Sequence, residues 1–439
     1  MVLLLGGFFL RVGAGGSDVS KPGPEKGTVP VVGVPVREVL QWAQYAPFVP
    51  AAAYTKPREG CSVVQVNLLQ RHGARWPTSG AAARQRASVA KIKAAPIFTD
   101  PNLNFLRKFV YDFSANNLLP YGALQSEEAG SELYLRYSSL VNETNLPFVR
   151  AADATRVVDS ATNWTAGVFA ASKGRVDPIL NVAISESGNC TLDDAMCPNA
   201  VSGDESATWL AVFAPPITAR LNTAAPGANL TDEDTLNLMG LCPFHTLIEE
   251  SPSPFCKLFT RAEFESYEYY YDVDKFYGTG YGNALGPVQG VGYINELLAR
   301  LTGTPVQDNT QTNRTLDASP TTFPLDRTFY ADFSHDNQMV AIYSAIGLFN
   351  QTLNPLEPQA NRTWVNSRLV SFAARMVVEK LDCNGAAFVR VMVADKVQPL
   401  EFCGGDADGL CSLDAFVKSQ RYSREDGYSD FEKCGFSGS

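Results

Sequence analysis

The sequence predicts an α/β protein, with a mainly parallel central sheet flanked by helices and an inserted, smaller α-helical domain. Three observations carry this reading. Strand-length apolar runs alternate with helical patterns at both ends of the chain, as in parallel sheets covered on both faces. A long middle stretch, 186–318, is poor in strand signals, rich in Asp, Asn and Pro, and holds several helix-like pieces. The whole chain of 439 residues is 45% hydrophobic and only 19% charged, enough apolar material for a large core.

The elements follow in order. Residues 17–60 are predicted as a propeptide or an arm laid over the body, because Gly, Pro and Ala dominate and periodicity is weak. The first strand is Ser62 to Gln70, a β-branched run that stops at RHGARWPT, where turn formers take over. Helices are predicted at Ala81 to Ala95 and Glu127 to Val141, a strand at Pro147 to Ala152, a helix at Val157 to Ala171 and a strand at Ile179 to Ser185. After the insert, which includes a helix at Gly292 to Leu301, come a strand at Thr328 to Phe333, a helix at Asn337 to Phe349 and a strand at Phe388 to Ala394. The α/β domain is therefore expected in two parts, 61–185 and 319–439. No internal repeat is visible.

Composition also restricts the class of partner. Thirty-six basic against 46 acidic residues give a net charge of -10, with no Lys/Arg block, so nucleic acid lacks its electrostatic footprint. Val2 to Leu10 is too short to span a bilayer and fits the apolar region of a signal peptide within 1–16. Nine cysteines without a C-x-x-C argue for structural bridges rather than a zinc or thioredoxin site. N-x-S/T sequons begin at Asn142, Asn163, Asn189, Asn229, Asn313, Asn350 and Asn361. A secretory, oxidising and glycosylating route explains both features, and a secreted monomer acting on a small molecule is the expectation.

Only three histidines occur, at 72, 245 and 335. His72 lies between Arg71 and Gly73 at the end of a buried strand, with Arg75 and Pro77 closing the turn. Two guanidiniums within five residues at a sheet edge repel each other and lose hydration unless an anion sits between them. Either arginine alone would as readily pair with a nearby carboxylate, but the combination R-H-G-x-R-x-P points to a phosphoryl group. Gly73 allows close backbone approach or a positive φ.

RHGARWPT resembles the signature of the histidine acid phosphatases, in the branch containing fungal phytases, and so implies the histidine-phosphatase fold. The resemblance runs over roughly 50–434. LPFVRAADATRV, at 146–157, is similar to the family segment that supplies a further phosphate-binding arginine, matching Arg156, whereas Arg150 reads as structural. YADFSHDN, at 330–337, resembles the second signature and puts His335 and Asp336 beside the first. Lys275, in DKFYGTG, matches a lysine that contacts substrate in fungal phytases, and SHDNQMVAIYSAIGLF looks most like the basidiomycete members.

The resemblance implies hydrolysis of myo-inositol hexakisphosphate through a phosphohistidine on His72, without metal or organic cofactor. Arg71, Arg75, Arg156, His335 and Lys275 would bind substrate phosphate, and Asp336 would be the general acid and then the base for water. It also implies the bridges Cys61–Cys383, Cys197–Cys434, Cys242–Cys256 and Cys403–Cys411, leaving Cys190 over. The residues agree on cofactors: there is no H-E-x-x-H, no clustered carboxylate pattern and no G-x-S-x-G. Gly278 to Gly282 lacks the Lys-Ser/Thr of a phosphate loop and reads as a connection. His245 stands where the family more often has an acidic residue, and is read as structural or surface. Trp76 replaces a Tyr and is expected to keep an aromatic wall. The alternatives are a broad-specificity phosphatase of the same chemistry and, from another class, an inactive phosphate-ligand-binding module.

Overall fold

The computed structural model describes residues 32–436, so the segment read as a signal peptide, 1–16, lies outside the described residues, as does the start of the arm. One mixed sheet organises the molecule, in the order β3-β2-β4-β1-β5-β6-β7. Its strands are β1 (Cys61–Arg71), β2 (Phe148–Ala152), β3 (Leu180–Ile184), β4 (Phe329–Ser334), β5 (Arg375–Cys383), β6 (Ala386–Val393) and β7 (Lys396–Val397). β3, β2, β4 and β1 run parallel, and β5 to β7 extend the sheet as antiparallel neighbours. A further short strand, β8 (Cys411–Ser412), pairs with β6.

The α-helices in chain order are α1 (Val36–Val39), α2 (Ser79–Lys93), α3 (Pro120–Tyr137), α4 (Thr155–Ala171), α5 (Glu205–Ala224), α6 (Asp232–Glu249), α7 (Arg261–Gly278), α8 (Val291–Thr302), α9 (Arg314–Asp317), α10 (Asp336–Ile346), α11 (Asn366–Leu369), α12 (Leu413–Ser419) and α13 (Arg421–Arg424). α6 and α7 begin at capping boxes, Thr231 with Asp234 and Thr260 with Glu263, which satisfy the first free N–H groups. α5, α6 and α7 form a helical layer that also takes in α2, and their buried residues join those of the sheet in one continuous apolar core. α8 instead lies on the sheet, where the Gln65 side chain donates to the Arg300 carbonyl at 3.0 Å. The arm is docked from residue 32 onward: Val32, Val39, Trp42 and Ala46 are buried, and the Phe372 amide donates to the Ala46 carbonyl.

β5 has no counterpart among the sequence expectations, and its charges explain why. Arg375, Glu379, Lys380 and Asp382 interrupt the apolar run, yet Glu379 is fully buried, bonded to Arg390 at 2.7 Å and to the Tyr137 hydroxyl at 2.7 Å. A polar residue fits a central strand when a distant partner satisfies it.

Arg150 is the same case in β2. It stands opposite Asp332 of β4, reaching it at 2.8 Å and Glu296 of α8 at 2.6 Å, while Arg300 reaches the other Asp332 oxygen at 2.6 Å. Burial alone would raise the Asp332 carboxyl, but Arg150 and Arg300 outweigh it and hold its pKa at about 2.

Four disulfides join Cys61–Cys383, Cys197–Cys434, Cys242–Cys256 and Cys403–Cys411, and Cys190 is buried with a free thiol. The first ties the start of β1 to the end of β5, directly in register. Among the sequons, Asn142, Asn229, Asn350 and Asn361 are exposed, and Asn163, Asn189 and Asn313 are half-buried. The Asn189 amide already donates to the carbonyls of Thr310 and Thr312. No helix among the described residues is long and apolar enough to cross a membrane.

Arg150→Ala should cost about 3–5 kcal/mol, because it strands Glu296 and half of Asp332 as buried, unpaired charge. The measurement is the denaturant midpoint at neutral pH, and a change below about 0.5 kcal/mol would show that the network carries no such strain.

Candidate active site

The register of two strands builds the centre. Arg71, the last residue of β1, pairs with Ser334, the last of β4, so His72 and His335 leave the sheet side by side at its carboxyl edge. Their ring centroids are 5.5 Å apart, and the His72 amide donates to the Ser334 carbonyl. β2 delivers Arg156 to the same edge through the first turn of α4, and β3 delivers Glu186.

The turn after β1 is held from outside. The Gly73 amide donates to Ser160 of α4 and the Ala74 amide to Gln125 of α3. A β-carbon on Gly73 would come within 2.2 Å of the Gly122 carbonyl oxygen, so glycine is required by close approach of α3, and its φ is not positive.

His72 is buried, with Nδ1 2.9 Å from the Gly73 carbonyl. That oxygen can only accept, so Nδ1 carries the proton and Nε2 keeps its lone pair. Burial first, then the charges of Arg71 and Arg75, hold the pKa of His72 well below the ordinary histidine value. The ring is thus neutral even in acid, with the Nε2 lone pair available.

A cavity of about 590 Å³ opens over this ring, with Arg75, Arg156, Lys275, His335 and Asp336 in its wall. The Nε groups of Arg75 and Arg156 are buried with no partner among the described residues, leaving donors for an anion. Arg71 does not line the cavity. It is fully buried beneath it, giving Nη1 to the carbonyls of Gln44 and Val370 and Nη2 to Asp336 at 2.9 Å.

Asp336 opens α10 and also faces the Lys275 ammonium at 3.4 Å. Burial would raise its carboxyl, but Arg71, Lys275 and Arg75 together hold it well below the usual carboxylate range. The unliganded site therefore holds Asp336 as carboxylate, not in the neutral form that a proton donor needs. His335 has both nitrogens engaged, Nδ1 with Arg156 at 3.2 Å and Nε2 with Glu186 at 2.7 Å.

Several wall residues escaped sequence reasoning. Glu186 follows a strand end at the same sheet edge as His72, which is the signal that could have found it. Asp193, Asp194, Asp274, Glu233 and Arg84 line the cavity, as do Gln44 and Tyr45 from the arm. Burial, then the neighbouring Asp194, pushes the Asp193 carboxyl up to about 6, and burial also raises Asp194 and Asp274. The aromatic wall is made by Tyr45, Tyr270 and Tyr271, whereas Trp76 packs against Phe113 away from the lining. His245 is half-buried among Phe109, Phe113 and Phe255, bonded to Ser253.

Among the described residues, Glu186, Asp193 and His335 are the one group whose donor atoms converge closely enough to hold a metal, and the His335–Glu186 hydrogen bond already joins two of them.

The family model of the histidine phosphatase superfamily, branch 2, matches residues 62–394. Phytase A of Aspergillus terreus is 39% identical, over 88% of this chain and 89% of its own. Phytase A of Neurospora crassa is 36% identical, over 99% and 100%. The crystal structure of the D. castellii phytase superposes with a TM-score of 0.73 at 22% identity, over 92% of this chain and 88% of its own. The multiple inositol polyphosphate phosphatase of Bifidobacterium longum, in complex with inositol hexasulfate, does so at 0.63 and 14%, over 85% and 96%. With both signature turns converging on one cavity and the family match spanning most of its length, the chain belongs to the histidine phosphatase superfamily, branch 2.

Proposed function

We propose that this protein is a secreted, monomeric phytase that removes phosphate from myo-inositol hexakisphosphate through a phosphohistidine on His72. The carrying observation is the His72 ring itself: neutral, with Nδ1 tied to the Gly73 carbonyl and Nε2 free, in a cavity that Arg75 and Arg156 also line. The curated relatives named phytase A, similar over nearly the full chain, support the choice of substrate. Four disulfides and exposed sequons support secretion.

In the first step the Nε2 lone pair forms the N–P bond as the ester P–O bond breaks, and the leaving alkoxide takes a proton from Asp336. In the second, the Asp336 carboxylate takes a proton from water, the hydroxide oxygen bonds to phosphorus, and the P–N bond breaks to restore His72. Arg75 and Arg156 meet the equatorial oxygens, where negative charge is spread in the transition state. Asp336 must gain its proton on substrate binding. A phosphoryl dianion sets two negative charges beside it and draws on Lys275 in the wall, and both effects raise its pKa.

The cavity is larger than one phosphate needs, and Arg84 stands in its wall for a further phosphate while Lys275 reaches the same wall paired with Asp336. Asp193, Asp194 and Asp274 share that wall, and their raised pKa values make it less negative in acid. This favours a polyanion at low pH and a simple monoester at neutral pH.

Comparing phytate with an aryl phosphate across pH 3 to 7 tests the reading. The phytate:aryl ratio of kcat/KM should fall at least about tenfold as pH rises past the Asp193 value of about 6. An aryl preference at every pH would leave the broad-specificity phosphatase. His72→Ala should abolish turnover of both, and unaltered turnover would remove the nucleophile.

Asp336→Asn should cost about 10²–10⁴-fold on inositol phosphates, whose alkoxide needs the proton, and much less on a good aryl leaving group. Equal losses would contradict the acid role. Because the free-site pKa of Asp336 is depressed, sulfate binding near pH 4.5 should take up protons in the wild type and not in Asp336→Asn. Calorimetry in buffers of different ionisation enthalpy measures this, and no uptake would place the proton source elsewhere.

A further inference from the structure

Glu268 lies on α7, fully within the protein, and does not line the cavity. Its two carboxyl oxygens go to different parts of the chain. Oε2 accepts the Ala43 amide of the N-terminal arm at 2.6 Å, and Oε1 accepts the Ser367 amide of α11 at 3.1 Å. One turn on, Asp272 accepts the Asn366 amide at 2.7 Å and is paired with Arg362 at 2.7 Å, so α7 supplies an acceptor to each of the first two amides of α11.

The residues just beyond these two anchors do something specific. Gln44 follows Ala43, and Val370 follows α11, and their carbonyls are the two that hold the Arg71 Nη1. Among the described residues these are the only hydrogen-bond acceptors of that nitrogen and Nε is buried without a partner, while the guanidinium rests on the Phe372 ring at 4.6 Å and its remaining arm grips Asp336. Ala43 takes a left-handed backbone, φ 51°, which aims the next carbonyl inward and which an alanine adopts only under constraint. The same helix carries Lys275, two turns further on, to the other side of Asp336.

We propose that Glu268 is a positioning residue for Arg71: by tying the arm at Ala43 to α11 at Ser367, it fixes the two carbonyls that set the guanidinium beneath the catalytic cavity and against Asp336. The proposal rests on the phosphatase reading of this site. It adds that the arm, 225 residues away in sequence from its anchor, is part of the working site and not a covering.

A double-mutant cycle tests it, with kcat/KM on an aryl phosphate measured for wild type, Glu268→Gln, Arg71→Lys and the double variant. Glutamine keeps the size of the side chain but turns a donor toward one of the two backbone amides. Lysine keeps the charge but cannot span both carbonyls and Asp336.

Glu268→Gln should lose about tenfold in the Arg71 enzyme and less than about twofold in the Arg71→Lys background, because the residue it positions is already gone. Losses that simply multiply, or no loss from Glu268→Gln alone, would overturn the proposal, since a general structural role is indifferent to Arg71. If thermal melting shows Glu268→Gln unfolded at the assay temperature, Glu268→Asp takes its place in the same cycle, because the shorter side chain can reach only one amide. A wild type inactive on every phosphate monoester would instead refute the phosphatase reading, which separates the two failures.

Discussion

The pairing of Arg71 with Ser334 is the constraint on which the site depends. A parallel register slipped by one residue would turn every side chain of β4 to the opposite face, sending Asp332 away from Arg150 and His335 away from His72. The correct register is therefore fixed twice. Below the edge it is fixed by the buried Arg150–Asp332–Arg300–Glu296 network, and at the edge by the hydrogen bond from His72 to Ser334. A charge network that adds little net stability compared with apolar packing is still a strong selector of alignment, because every misaligned state leaves buried charges unpaired.

Above that edge the electrostatics divide into two populations of cations. Arg71 and Lys275 are committed to Asp336, so they neutralise the protein's own carboxylate before any ligand arrives. Arg75 and Arg156 retain buried donors without partners among the described residues, which suits them to an incoming anion. Burial first, then Arg71 from the one population and Arg75 and Arg156 from the other, keep protons off His72. An imidazole kept neutral in acid relies on this nearby positive charge as well as on burial, because burial alone would also shut out an anion.

Much of this was legible in the chain. The two signature turns, the arginine after the second strand and the β-α alternation are local patterns, and local patterns survive in sequence. β5 was not legible, because Glu379 and Arg375 break its apolar run and their partners lie far along the chain. Glu186 carries no local pattern beyond its place after a strand, and only the tertiary fold sets it against His335. The family resemblance implies direct phosphate binding by Arg71, whereas the structure has both of its Nη atoms occupied by protein acceptors. Sequence reveals which residue types can meet a phosphoryl group. Which of them are already spoken for is a tertiary fact.

The arm makes the same point from the opposite direction. Residues with no motif and weak periodicity fold into short turns whose backbone carbonyl, not side chain, supports a catalytic-site arginine, and whose Tyr45 forms part of the wall. Backbone groups carry no sequence signature, since every residue has them. They become specific only when something holds them in place, and here that holder is the Glu268 side chain on α7, the helix that also brings Lys275 to the cavity. Movement of α7 would therefore disturb Lys275 and the Arg71 cradle together, which couples both committed cations of Asp336 to the packing of one helix.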